Sequence, residues 1–161
     1  MKICIIATGG TIDKDYPKLI GGYAFEFGKP AVKRIFKKWQ TNIEFEVFKP
    51  FQKDSLDIDE MDRKILLQAI IEAPSEMIVV THGTDSMIET GQFLSKQSLK
   101  KKVIITGAMR PQRFSNSDAA INFGGAVAAL QVVENGVYIF IQGILKLAKE
   151  MHRNAENGEF F

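Results

Sequence analysis

The stretch Ile3-Cys4-Ile5-Ile6-Ala7-Thr8-Gly9-Gly10-Thr11 joins a short apolar run to two glycines between two threonines. A continuous apolar run of this length is typical of a buried strand in a parallel sheet. The two glycines allow the backbone to turn sharply and a ligand to approach the main chain closely. Ligands of open α/β sheets bind outside the carboxyl ends of the strands, so we expect Thr11 to face a pocket.

Two further apolar runs end in the same kind of segment. Residues 77–80 lead into Thr81-His82-Gly83-Thr84-Asp85, and residues 103–106 lead into Gly107-Ala108. Because the carboxyl ends of parallel strands meet at one edge of a sheet, these segments are expected to converge there.

The remaining pattern predicts the other elements. Residues 43–48 alternate apolar and acidic side chains, which indicates a strand near an edge of the sheet, and 137–141 form a last strand. Apolar residues at helical spacing predict helices at 31–40, 58–73, 86–96 and 118–133. Strands that alternate with helices predict one α/β domain over residues 1–161, with five mostly parallel strands and helices on both faces.

Two segments have no clear periodicity. Residues 12–28 contain three glycines and several aromatic side chains, and a connection of this length is often a lid or binding loop. We predict a lid there, with core packing of Phe25 and Phe27 as the alternative. Residues 142–161 are predicted to be a C-terminal tail.

Composition excludes several function classes. The 161 residues are 45% apolar and 25% charged with a formal net charge of +2, as in an ordinary globular domain. We interpret Lys100-Lys101-Lys102 as a solvated loop, so no nucleic-acid partner is expected. No apolar stretch has the length of a membrane span, and no signal segment is recognised. The single Cys4 permits no intramolecular disulfide, and we expect a cytoplasmic protein.

Hydroxyl groups beside glycines at strand ends suit a hydroxyl nucleophile with a backbone oxyanion site. Neither glycine loop has the G-x-x-x-x-G-K-[ST] or G-x-G-x-x-G pattern of phosphate and dinucleotide sites. The residues therefore predict a small-molecule pocket and leave open whether a threonine is catalytic. A lone histidine binds no metal, so His82 is interpreted as structural, and we expect no metal or cofactor.

Three segments closely resemble the signatures of bacterial-type L-asparaginases, in the family's order and spacing. They are Ala7–Ile12, Thr81–Thr90 and Ile105–Pro111. Asp54-Ser55-Leu56 is similar to the family's substrate-binding serine segment. The resemblance extends over essentially the whole chain but covers only the family's amino-terminal domain. It implies the doubly wound, three-layer fold of that domain, which is Rossmann- or flavodoxin-like.

The resemblance also implies an activity, namely hydrolysis of L-asparagine or a related small amide to aspartate and ammonia. Thr11 matches the primary nucleophile, and Thr84 with Asp85 match the second threonine and its acidic partner. An amino-acid substrate and a homodimer or higher homo-oligomer are the partners that it implies. The substrate-binding positions that it implies are Ser55, Gly83, Asp85 and Ala108.

Two positions depart from the family's pattern. Phe25 matches the lid tyrosine but has no hydroxyl, and Tyr23 would replace it only if the loop shifted. Arg153 matches the catalytic lysine, but a guanidinium cannot be deprotonated in a protein and cannot act as a general base. Lys146 and Lys149 are alternatives that the spacing does not favour. These two departures favour an alternative function as an amino-acid-binding module without turnover. The resemblance does not cover the second domain of the family, and this favours the same alternative.

Several of these residues also have a purely structural interpretation. Thr84 and Asp85 are residue types that cap a helix beginning at Ser86, and Ser55 with Asp57 could cap the helix that follows them. Arg153 could be a surface residue in a frayed tail.

Overall fold

A computed structural model describes residues 1–17 and 25–161 of the chain. Its helices are α1 (Val32–Lys38), α2 (Glu60–Glu72), α3 (Met87–Ser95) and α4 (Ala119–Ala129), with short 3-10 turns at Thr11–Asp13 and Ser55–Asp57. Its strands are β1 (Lys2–Ala7), β2 (Lys14–Asp15), β3 (Glu26–Phe27), β4 (Glu44–Phe48), β5 (Met77–Thr81), β6 (Lys102–Thr106), β7 (Gly136–Ile141) and β8 (Ile144–Leu147).

The central sheet has the strand order β4-β1-β5-β6-β7-β8. The first five strands in this order are parallel, and their carboxyl ends lie at one edge of the sheet. The predicted α/β class is confirmed, and β4 occupies the edge position that its alternating pattern indicated.

The prediction of five strands was wrong, because β8 adds a sixth, antiparallel strand. Gln142 and Gly143 join β7 to β8 as a two-residue turn, with φ angles of 52° and 80°. Positive φ at both positions is the geometry of a tight hairpin, and a two-residue turn ending in glycine is its sequence signal. The strand itself is only four residues long and two of its side chains are exposed, so it has little periodicity.

Residues 148–161 are not a frayed tail. Ala148, Met151 and Phe160 are buried and belong to the hydrophobic core on one face of the sheet. Arg153 and Phe160 form an antiparallel bridge that folds the segment back on itself.

In residues 1–17 and 25–161 the core consists of two clusters, one on each face of the sheet. The first cluster packs α1 and α4 against side chains such as Ile3 and Ile5 of β1. The second packs α2 and α3 against the opposite face of the same strand, through Cys4 and Ile6. Alternate side chains of one strand therefore fill both layers, as expected for a parallel sheet covered on both faces. Within residues 1–17 and 25–161, no helix has the length and apolar character that crossing a bilayer requires.

Candidate active site

The loop after β1 is held against the loop after β5. Thr8 donates from its amide nitrogen and its Oγ1 to the carbonyl oxygen of Thr81, at 3.0 and 2.8 Å. Gly10 has a φ of 76°, and a Cβ at this position would overlap the amide nitrogen of Gly83. Only glycine combines this φ with so close an approach of two backbones. Thr11 is therefore placed next to the loop that contains Thr84.

The segment that contains Ser55 packs against both loops. Gly10 donates from its amide to the Lys53 carbonyl at 3.0 Å, and a Cβ at Gly83 would overlap the side chain of Ser55. Ser55 is 2% exposed, and its Oγ accepts a hydrogen bond from the amide of Asp85 at 3.3 Å. Ser55 thus packs against the Gly83 loop, and Lys53, two residues before it, holds the Gly10 loop.

The interpretation of Ser55 and Asp57 as helix caps was wrong. Asp59 caps α2, and it forms a reciprocal capping box with Asp62. Ser55 instead begins a separate 3-10 turn, and its backbone carbonyl accepts a hydrogen bond from the Ser86 hydroxyl.

Thr84 and Asp85 do not cap α3 either, since Ser86 occupies the N-cap position. Thr84 is 7% exposed, whereas the Asp85 side chain is 49% exposed. The carboxylate is therefore accessible to a ligand, and the threonine beside it is largely enclosed.

Arg153 reaches this loop from the far end of the chain. Its Nη1 donates to Asp85 Oδ1 at 2.9 Å and to the Thr84 carbonyl oxygen at 3.3 Å. Its Nε donates to the Gly158 carbonyl at 3.3 Å, and its guanidinium carbon lies 5.2 Å from the centre of the Phe160 ring. These contacts hold a permanent positive charge against the carboxylate of Asp85.

The loop after β6 completes the edge of the sheet. Ala108 is fully buried, and the preceding Gly107 lies so close to His82 that a Cβ would overlap the histidine carbonyl oxygen. Asn122 of α4 donates from Nδ2 to the Gly107 carbonyl at 3.1 Å. The Asp118 carboxylate accepts the Met109 amide at 3.0 Å. Residues of α4 therefore fix the position of this loop, which is a packing role.

His82 is fully buried, and its Nδ1 lies 2.7 Å from the carbonyl oxygen of Gly83. Burial lowers the pKa of His82 to about 4, because desolvation disfavours the imidazolium form. At neutral pH the ring is uncharged, so its Nδ1 carries the proton that the carbonyl accepts. This arrangement fits a structural residue that shapes the loop before Thr84.

Sequence reasoning missed two residues at the base of the predicted lid. Asp13 is fully buried and accepts the Ala31 amide at 2.7 Å through its carboxylate, while its backbone carbonyl accepts the Gly28 amide at 2.9 Å. Desolvation raises the pKa of Asp13 to about 6. Lys14 donates a hydrogen bond from Nζ to Asp54 Oδ2 at 2.7 Å. This hydrogen bond is the main reason that the pKa of Asp54 is lowered.

The predicted lid residues have separate outcomes. Tyr23 lies outside the described residues. Phe25 is 45% exposed, so its core-packing interpretation was wrong. Its ring packs against Tyr16 and Phe114, with centroid distances of 5.5 and 5.7 Å.

The site brings two hydroxyl groups, an accessible carboxylate and a guanidinium to one edge of the sheet. In the part of the chain that the structure describes, no carboxylate, imidazole or amine is hydrogen-bonded to the hydroxyl of Thr11 or Thr84. An exposed carboxylate of this kind can bind an ammonium group, and two threonine hydroxyls lie on the neighbouring loops.

Comparison with known proteins places this geometry in context. Residues 2–158 match the family model described as asparaginase, N-terminal. The probable periplasmic L-asparaginase of Haemophilus influenzae is 30% identical over 132 residues, which is 78% of this chain and 37% of that protein. The glutaminase-asparaginase of Acinetobacter glutaminasificans is 26% identical over 160 residues, which is 92% of this chain and 48% of that protein.

A solved structure has the same fold. The thermostable L-asparaginase from Thermococcus kodakarensis superposes with a TM-score of 0.83 and 26% identity, covering 95% of this chain and 48% of that one. The chain therefore spans less than half the length of each of these three proteins.

Proposed function

The chain belongs to the asparaginase family, whose amino-terminal domain it matches, and on this premise we propose that it is an asparaginase-like amidohydrolase. Its substrate is L-asparagine or a related small amide, and Thr11 is the nucleophile. Thr84, Asp85 and Arg153 complete the catalytic group. The observation that carries the proposal is the convergence of Ser55, Asp85 and Arg153, from three distant segments, beside the loop of Thr11.

In this proposal the α-ammonium of the substrate binds Asp85, whose carboxylate is half exposed. Ser55 and the backbone of Gly83 bind the α-carboxylate. Ala108 contributes a backbone contact to the side-chain amide. These assignments place the amide of an asparagine near the hydroxyl groups of Thr11 and Thr84.

The reaction is an acyl transfer in two steps. The Thr11 Oγ attacks the amide carbon, the C–N bond breaks, and the hydroxyl proton goes to the nitrogen that leaves as ammonia. Water then attacks the resulting ester, which releases aspartate and restores the hydroxyl. Arg153 supplies positive charge beside Asp85, but a guanidinium cannot accept the proton, so a second hydroxyl or water must relay it.

A second candidate function is a module that binds aspartate or asparagine without hydrolysing it. The observation that favours it is the same ion pair, because an arginine occupies the position of the family's lysine. A module of this kind needs only Ser55, Gly83, Asp85 and the lid.

The compartment and the oligomeric state are part of the proposal as well. We place the chain in the cytoplasm as a homodimer or larger homo-oligomer. Light scattering on the purified chain tests the oligomeric state.

The test of function is ammonia release from L-asparagine by the wild-type chain, by Thr11→Ala and by Thr41→Ala. Thr41 precedes β4 at the opposite edge of the sheet, which makes it a matched control. Turnover that is lost only in Thr11→Ala supports the amidohydrolase. Absence of turnover in the wild type, together with an aspartate-dependent rise in Tm, supports the binding module instead.

A further inference from the structure

A separate cavity of about 510 Å³ lies between α1 and the segment that follows the β6 loop. Its lining residues are Arg34, Lys37, Lys38, Gln112 and Arg113. None of these residues belongs to the proposed amidohydrolase site. The volume is within the range of small-molecule sites in proteins, roughly 300 to 1,000 Å³.

Four of the five lining residues are basic. Three of them lie on one side of α1, because positions 34, 37 and 38 are three and four residues apart. In the part of the chain that the structure describes, Arg34, Lys37 and Lys38 form no ion pair. Arg113 does, since its Nε lies 2.8 Å from Asp15 Oδ2.

The cationic groups are crowded enough to affect one another. Burial is the main reason that the pKa of Arg34 is lowered, and the positive charge of Arg113 is the next. The acidic groups that act on Arg34 in the opposite direction are Asp15 and Asp13. A bound anion would act in the same direction as these carboxylates, because an opposite charge favours the charged form of a guanidinium.

Arg34 is also positioned in advance of any ligand. Its Nε donates to Gln112 Oε1 at 2.5 Å and its Nη1 donates to the Lys29 carbonyl at 3.4 Å. Its Nη2 is buried and has no hydrogen-bond partner among the described residues. A guanidinium held in this way has little side-chain freedom left to lose when an anion binds beside it.

We propose that this cavity binds a small anion with linked phosphate groups. One of the four positive charges is paired with Asp15, so about three remain to be balanced. A monocarboxylate would leave most of them uncompensated, whereas a diphosphate or triphosphate group matches them. The site is independent of the glycine loops, which lack phosphate-binding patterns.

A second cavity adjoins the first and shares Lys38, Gln112 and Arg113 with it. Its lining includes the aromatic side chains of Trp39 and Phe114. It provides space for an organic group attached to the phosphates, such as a nucleoside.

The test is calorimetric titration of the full chain with inorganic pyrophosphate at physiological ionic strength. Wild type is compared with Arg34→Gln, Lys37→Gln and Lys33→Gln. Lys33 is exposed on the same helix and does not line the cavity, so it is the matched control for general electrostatic attraction. Lys37 is exposed, so its variant keeps the assay meaningful even where Arg34→Gln folds poorly.

We expect a saturable heat with one site, about tenfold weaker binding for Arg34→Gln and Lys37→Gln, and less than about twofold change for Lys33→Gln. Absence of binding, or equal weakening by Lys33→Gln, overturns the proposal. Titration with a nucleoside triphosphate distinguishes a site for a whole nucleotide from a site for the phosphate groups alone. Tighter binding than pyrophosphate assigns the adjoining cavity to the nucleoside, and equal binding assigns the site to the phosphates alone. Because no activity is measured, a negative result leaves the proposed amide hydrolysis unaffected.

Discussion

Arg153 Nη1 lies 2.9 Å from Asp85 Oδ1, although the two residues are 68 positions apart in the chain. The guanidinium is also held by the Thr84 carbonyl and by the ring of Phe160. An arginine in this place orients the carboxylate, but it cannot exchange a proton with a threonine hydroxyl. In our proposal this contact is therefore one of the features that separate a catalyst from a binding module.

Replacing Arg153 with lysine introduces the residue type that the resemblance to asparaginases implies at this position. We expect Arg153→Lys to raise ammonia release from L-asparagine by about tenfold or more, because an amine can accept a proton when its pKa is lowered. The matched control is Arg110→Lys, an exposed arginine with no contact to Asp85. Unchanged or lower turnover in Arg153→Lys, with ligand binding retained, would argue against a proton-transfer role at this position.

Replacing Asp85 with alanine removes the proposed partner of the ligand's ammonium. We expect the affinity for L-aspartate to fall by about 10- to 100-fold, as for loss of a charge-assisted hydrogen bond. Titration calorimetry measures this, with the exposed Asp57→Ala as control. Retained affinity in Asp85→Ala would contradict the assignment for both candidate functions.

The close approach of Gly10 to Gly83 predicts a large penalty for any side chain at Gly10. We expect Gly10→Ala to lower the free energy of unfolding by about 2 to 4 kcal/mol, since φ is positive and the new Cβ meets backbone. Gly124 provides the matched control, because a Cβ there would have no neighbour within 4 Å among the residues that the structure describes. Gly124→Ala lies in a helix and should stabilise the protein by about 0.5 to 1 kcal/mol. Urea unfolding of both variants tests the contrast.

Burial of His82 predicts a loss of stability in acid. Its pKa in the folded state, about 4, is below the ordinary value of 6.5, so the unfolded state binds more protons between these values. Above pH 6.5 the neutral form of His82 makes its full contribution to the free energy of unfolding. This contribution falls by on the order of 3 kcal/mol as the pH decreases from 6.5 to 4. His82→Gln should remove this part of the pH dependence. An unchanged acid slope in urea unfolding would rule out this origin.

Asp13 predicts a slope of the opposite sign. Its folded-state pKa of about 6 exceeds the ordinary value of 3.8, so the folded state binds more protons between these values. This group stabilises the fold as the pH falls from 6 to 4, and it partly offsets the effect of His82. Asp13→Asn should therefore steepen the acid loss of stability. A shallower loss in the variant would mean that the carboxylate ionises normally in the folded protein.

The sequence predicted where most helices and strands lie, because the buried face of each element requires apolar residues at a regular spacing within that segment. The apolar runs at β1, β5 and β6 and the alternation at β4 all correspond to observed strands. β8 was missed since its short, half-exposed segment has almost no period of its own. The pairing of β8 with β7 belongs to the tertiary structure, and the turn at Gln142-Gly143 is the feature of the sequence that indicates it.

At the candidate site, local sequence indicated which residues belong to the loops at the strand ends, since glycines and hydroxyl groups follow the apolar runs directly. It could not determine which neighbour each side chain contacts. Ser55 is enclosed by the Gly83 loop rather than capping α2, and Asp13 closes the base of the predicted lid.

The sequence alone thus determined the layered α/β fold and the edge of the sheet where the candidate site lies. Only the tertiary structure decided that Arg153 pairs with Asp85 and that four basic side chains surround a separate cavity. The physical reason is that the spacing of apolar residues in one helix or strand shows only which face of that element is buried. Contacts between charged side chains from distant segments depend on how the packed elements are placed relative to one another.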